Sequence, residues 1–345
     1  MNEEQDIVDF IKKVSPGNSL RVVINDLLRA KLGALIVFNS KELEEQNIIE
    51  GGFKVNCRFT PQKLFELCKM DGAIIISPDL RRILYANATL SPDKAIATHE
   101  TGTRHKSAER TAKQAKTFVI AVSERKNKTS LFFSEKKYIL RDSEELLREI
   151  SSNIQVLEKQ REIFNELLSK LNILEASELV SVGDVCKVLQ RAEMILKISE
   201  SIKRHFIELG NEAAIMNTRH KELLKNVSSR EEAIIGDYSL KPIKKAKTIL
   251  SCMTFEGLLD LEAISSLIFE KNSEEIIIPK GKRFLSKLNL TEKERQNLLE
   301  KFSNLNEIIN SEVESFAEIL KLKAEKTKED ISHLREQIFA GKTTY

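Results

Sequence analysis

From Ser143 onward apolar residues recur at helical spacing for roughly 30 residues, a length and period that only a long packed helix accommodates. Leu147, Ile154 and Leu168 share one heptad position, while Ile150, Leu157, Phe164 and Leu171 share another; Arg161 interrupts the seam. Such a helix gains its stability from what packs on its apolar face, so it reads as a spine for further helices. Glycine and proline stay scarce, a helix stop is expected at Gly210, and the same texture runs on to about residue 275. Residues 143–275 are therefore read as a helical spine or linker domain.

Upstream the periodicity changes. Residues 1–142 mix helical stretches with short apolar runs that read as buried strands: ALIVF at 34–38, the DGAIII run at 71–76 and FVIAV at 118–122. Helices are expected over 6–13, from Ser19 towards Gly33, and from a Thr60-Pro61 start with Phe65, Leu67 and Met70 as apolar contacts. Another is expected over 103–115, with a strand around 83–88 and a hairpin over 129–140. The pattern is an α/β domain with a mixed sheet. From Ile276 a strand-like run, IIIPKGKRFL, leads into two or three short helices. The fold class is α+β multidomain, with boundaries at 1–142, 143–275 and 276–345.

Charge and cysteine usage exclude several classes. The 55 basic and 52 acidic residues leave a net charge of +3, so no chain-wide field draws the protein to nucleic acid. Cys57, Cys68, Cys186 and Cys252 lack C-x-x-C spacing, and His99, His205, His220 and His333 lack ligand-like spacing, which argues against a zinc site or disulfide framework. No stretch approaches about 18 apolar residues, and the acidic opening MNEEQDIVDFIKK is unlike a leader. A cytoplasmic protein with no membrane segment is expected. Gly341-Lys342-Thr343 looks like the end of a phosphate loop, but the upstream glycine position is Glu336, so the match is chance.

Two clusters carry chemistry. Asp71 followed by Gly72 and Ala73 places a carboxylate at the head of a buried strand, beside a residue that lets a ligand approach the backbone. Thr103, Arg104, His105, Lys106 and Ser107 open a helix, where free amides and the helix dipole favour phosphate. Each alone has a bland reading, a turn and a solvated basic helix start.

Together these clusters, with SPGNSLRVVINDLLRAKLGALIVF, GGF at 51–53, LFELCKMDGAIIIS, ILYANATLSPD, ETGTRHKSAERTAKQ and FVIAVSERKN, resemble the diadenylate cyclase family and, within it, the DNA-integrity-scanning (DisA) type. The DGA signature is intact at Asp71, Gly72 and Ala73; the RHR signature reads Arg104, His105, Lys106. The resemblance implies condensation of two ATP into cyclic di-AMP and two pyrophosphates. Asp71, Arg104 and His105 would be catalytic, with Asp71 binding Mg2+ or Mn2+ and helping activate the ribose 3′-hydroxyl. Gly72, Ala73 and Leu90 would line the adenosine pocket, Thr103 to Ser107 would cradle the triphosphate, and Ser123 would add a polar contact. Two catalytic domains would meet face to face within a homo-octamer. The alternative is a DNA-binding scaffold or nucleotide sensor whose synthase is impaired by Lys106.

The resemblance thins at the C-terminal end, where a helix-hairpin-helix module is implied. Here ILKLKAEKTKED at 319–330 has no glycine where the phosphate-binding turn is expected, and residues 276–345 hold 13 Lys+Arg against 11 Asp+Glu, a net of +2. The module is read as degenerate and its DNA binding as weak.

Overall fold

The computed structural model describes residues 3–341, and the chain folds into two compact units. One takes in the chain up to Ser151 together with Lys203–Asn217; the other comprises Ser152–Ile202 and Thr218 onward. Lys342 and Thr343 of the chance phosphate-loop match lie outside the described residues.

The first unit begins with helices α1 (Glu3–Val14) and α2 (Ser19–Arg29), strand β1 (Ala34–Phe38), the short helix α3 (Lys41–Glu45), strands β2 (Ile49–Glu50) and β3 (Phe53–Arg58), and α4 (Pro61–Leu67). It continues through β4 (Ala73–Ile76), β5 (Arg82–Leu90), α5 (Thr103–Ala115), β6 (Phe118–Ser123), β7 (Lys128–Phe133) and β8 (Lys136–Ile139). The strands form one mixed sheet in the order β2-β5-β4-β1-β6-β7-β8, with β3 also pairing β5; β1 and β4 are parallel, and the other pairs are antiparallel. The apolar runs at 34–38 and 73–76 are buried on both faces because helices cover the sheet on each side. Thr60 accepts from the Lys63 amide and Pro61 takes the first helical position of α4, as read from the sequence. Its core contacts differ: Leu64 and Cys68 are buried, Phe65 and Leu67 are partly buried, and Met70 is exposed.

The long helix α6 (Ser143–Ala176) covers the heptad segment. Ile150, Ile154, Leu157, Phe164, Leu168 and Leu171 are buried, and the Arg161 guanidinium lies 5.5 Å over the Phe164 ring rather than breaking the helix. Helix α7 (Val182–Leu209) stops at the Gly210–Ala213 turn, and α8 (Ala214–Leu224) follows. The second unit adds α9 (Val227–Tyr238), α10 (Ile243–Cys252), α11 (Phe255–Leu259) and α12 (Leu261–Phe269). No described helix is long and apolar enough to cross a membrane. Buried Cys68 and Cys186 have their thiols pushed up to about 12, so they are inert packing groups.

The run at 276–285 forms no strand; a single bridge joins Ile276 to Ser181. It contains the short helix α13 (Lys282–Leu285) and, among the described residues, leads into four α-helices rather than two or three: α14 (Glu292–Lys301), α15 (Leu305–Asn310), α16 (Val313–Leu320) and α17 (Ala324–Phe339). The α13 amides are bound by buried Asp237, which accepts from Lys282 N (2.6 Å) and Arg283 N (2.9 Å). The Arg283 side chain reaches Glu175 (2.7 Å) and Asn172 (2.7 Å) on α6, all nearly fully buried. Hydrogen bonding on this scale gives the buried charges the partners they require.

Between α16 and α17 a hairpin forms despite the missing glycine. Lys321 takes φ 51° and ψ −119°, a conformation that glycine adopts with least cost. The replacement Lys321→Gly should therefore be tolerated or stabilising by about 1 kcal/mol, read as a higher midpoint in thermal unfolding. A clear destabilisation would show that this turn is not strained.

A second strained feature is ionic. Glu231 on α9 is fully buried, and its pKa is pushed up to about 8 by burial first and then by Glu193, against the pull of Lys247. The folded chain keeps this proton where the unfolded chain releases it near 4.5. This group's stability penalty is therefore absent below about pH 4.5 and grows as pH rises towards the raised pKa. Glu231→Gln should raise the unfolding midpoint more at pH 8 than at pH 5. Equal gains at both values would remove the proton from the account.

Candidate active site

The site is built on the β4–β5 pair. Between the Ala73–Ala88 and Ile75–Tyr85 pairs, β4 advances two residues and β5 three, a bulge that turns Asn87 into the left-handed region at φ 51°. Asn87 Oδ1 accepts from the Gly72 amide at 3.0 Å and so fixes the Asp71-Gly72 turn. A Cβ on Gly72 would lie 2.4 Å from the Asn87 carbonyl carbon, so only glycine fits there. Asp71 is exposed and has no hydrogen bond or ion pair among the described residues, which leaves its carboxylate available.

Facing this turn is the start of α5. Its N-cap is Gly102, with extended backbone and no side-chain cap, so the first-turn amides keep their hydrogen-bonding capacity. Ala108, Ala112 and Ala115 are small enough to seat the helix closely on the sheet. The irregular segment before it is strapped to the helix itself. Glu109 accepts from Thr98 Oγ1 (2.5 Å) and the His99 amide (3.2 Å), Arg110 Nε donates to Ile96 O (2.9 Å), and Lys113 Nζ donates to Ala97 O (3.1 Å). Burial pushes the Glu109 carboxyl up, but the hydrogen bonds from Thr98 and Lys113 outweigh it and hold the group below the usual range.

A cavity of about 810 Å3 lies between these parts. It is lined by Asp71, Gly72, Ala73, Leu90, Thr103, Arg104, His105, Ser107 and Ser123. Lys106 is not among the lining residues; it is half-buried, and its amide is already bonded to Gly102 O at 2.9 Å. Sequence reasoning missed Leu35, Asn87, Thr101, Glu124 and Arg125, which also line it. The asparagine in ILYANATLSPD was the one available signal, since Asn tolerates φ > 0.

Two side chains are tuned by their surroundings. The Arg104 guanidinium rests against Gly33, where a Cβ would come within 2.0 Å of its Nη1, and it has no ion pair among the described residues. Burial pushes the His105 imidazole below its ordinary value; Glu100 opposes this, while Lys137, Arg104 and Lys126 push it further down, which favours the neutral ring. Its ring meets Phe132 edge-on, with centroids 6.3 Å apart. The arrangement offers a carboxylate on one side and amides, a guanidinium, a neutral imidazole and hydroxyls on the other, a suitable environment for a polyphosphate.

Known proteins resemble this chain over nearly its whole length. Residues 22–137 match the model of the DisA bacterial checkpoint controller nucleotide-binding region, and residues 140–276 match that of its linker region. The DNA integrity scanning protein DisA of Acetivibrio thermocellus is 38% identical over 98% of this chain and 96% of its own length. That of Bacillus licheniformis is 38% identical over 98% and 97%, and that of Fusobacterium nucleatum 37% over 96% and 97%. Two adjoining family models and full-length relatives of this similarity place the chain in the DisA family of diadenylate cyclases.

Proposed function

We propose that the cavity holds one ATP, and that two such sites face each other so that each ribose 3′-hydroxyl attacks the α-phosphate opposite, yielding cyclic di-AMP and two pyrophosphates. The observation that carries this reading is the single cavity shared by Asp71 and the uncapped α5 start. In it the Thr103, Arg104 and His105 amides and the Ser107 hydroxyl bind the triphosphate, while Gly72, Ala73 and Leu90 border the adenosine and Ser123 adds a polar contact. Arg104 carries a full charge to phosphate oxygens, and neutral His105 supplies one donor and one acceptor.

Among the described residues no three His, Cys, Asp or Glu side chains are placed to hold a metal. One free carboxylate nonetheless fits Mg2+ or Mn2+, which are commonly held by one or two carboxylates together with substrate phosphates. Asp71 would hold it, and the bound cation would neutralise phosphate charge and acidify the 3′-hydroxyl. Chelator-treated protein should be inactive with ATP and recover on adding Mg2+ or Mn2+. Unchanged turnover in chelator would sink this part of the reading.

Residues 1–142, 143–275 and 276–345 serve as catalytic, linker and C-terminal domains. The facing sites imply a homo-oligomer, an octamer by resemblance, which solution sizing checks. The sensor alternative, in which the Lys106 change impairs synthesis, requires ATP binding without cyclic di-AMP formation. DNA binding by 276–345 is weak because basic excess is small, and its affinity should fall steeply between about 50 and 200 mM salt in a titration.

A further inference from the structure

A second cavity of about 760 Å3 lies at the other end of the β4–β5 pair. The active-site cavity takes Ala73 from the start of β4 and Leu90 from the end of β5; this one takes Ser77, just past β4, and Arg82, at the start of β5. Along β5 the two ends are roughly 25 Å apart at strand spacing.

Three arginines line it: Arg58, Arg81 and Arg82. Arg58 and Arg82 are direct cross-strand partners on β3 and β5. Like charges in that relation repel, and a strand pair is destabilised unless something else neutralises them. Neither has an ion pair among the described residues; Arg81 alone meets a carboxylate, Asp79, at 3.5 Å. The cavity thus carries three positive charges against one negative.

Its other walls favour the same kind of ligand. Ser19, the first residue of the 11-residue helix α2, lines the cavity, and the N-cap Asn18 makes no side-chain bond to the helix amides. That leaves the positive end of a helix beside the arginines. Ser77 Oγ accepts from the Arg81 amide (3.1 Å) and the Arg82 amide (2.9 Å), which fixes the backbone that presents both side chains.

We infer that this cavity is a second phosphate-binding site, separate from the catalytic one, that takes the di- or triphosphate group of a soluble ligand. Guanidinium groups suit it because each can bind two phosphate oxygens at once. The inference does not depend on which residues catalyse.

The test uses full-length protein and inorganic pyrophosphate in isothermal titration calorimetry. Wild type should show two classes of site per chain. Arg58→Gln/Arg82→Gln should weaken one class at least tenfold and leave the other, while Arg104→Gln should weaken only the class that the double variant keeps. Arg58→Lys/Arg82→Lys, which keeps the charge, should bind better than the glutamine pair, and thermal unfolding should show all variants folded. The inference is overturned if the glutamine pair binds like wild type, or if wild type has one class of site that Arg104→Gln removes. It is also overturned if duplex DNA, and not pyrophosphate, binds in an Arg58- and Arg82-dependent way.

Discussion

Asp71→Asn should lower cyclic di-AMP formation by at least about 100-fold while leaving unfolding temperature and oligomeric size unchanged. The amide keeps the shape of the side chain and loses its charge. Asp71 is exposed and bonded to nothing else among the described residues, so the change breaks no structural contact. ATP should still bind, because the α5 start and Arg104 are untouched. Turnover close to wild type would remove Asp71 from the reaction.

Two glycine substitutions should separate activity from stability. In Gly33→Ala the new Cβ falls on the Arg104 guanidinium, the far end of a flexible side chain, so Arg104 swings away while the fold stays intact. Loss of the proposed Arg104–phosphate contacts should cost about 10- to 100-fold in kcat/KM, with stability within about 0.5 kcal/mol of wild type. In Gly72→Ala the new atom meets Asn87 backbone at 2.4 and 2.6 Å, so the strand pair must move. That variant should lose activity and also about 1 to 3 kcal/mol of stability. Denaturant unfolding and steady-state kinetics on both variants check the contrast. If Gly33→Ala were as destabilised as Gly72→Ala, Arg104 would not be the movable group.

Much of the catalytic unit was legible because its signals are local. The run at 34–38 is bounded by a turn and too short for a helix, and α5 has its first and last residues where the sequence placed them. What escaped was long-range. Strand β3 is exposed along most of its length, with Phe53 61% accessible, so it carries no buried-strand signature. Asn87 matters only because a bulge brings it to Gly72, 15 residues away. The Arg283–Glu175 pair spans 108 residues, and each partner alone reads as an ordinary helix-surface charge. Clamp residues Glu109, Arg110 and Lys113 lie within the motif ETGTRHKSAERTAKQ, yet their role depends on a segment that has no periodicity at all. Lys106 is expected at the site both from the cation-rich helix opening and from the resemblance, yet the cavity wall does not include it. Missing glycine at 319–330 argues against the phosphate-binding turn because a non-glycine residue there is strained, and Lys321 shows that a strained residue can still hold a turn where the surrounding helices pack.

On the proposed mechanism this chain joins two ATP molecules through the site formed by Asp71 and the α5 start. Purified full-length protein incubated with ATP and either Mg2+ or Mn2+, followed by mass analysis of the products, tests it most directly. The expected product is cyclic di-AMP, with two pyrophosphates released per molecule formed. Absence of cyclic di-AMP with both metals, from protein that is folded and binds ATP, would contradict it.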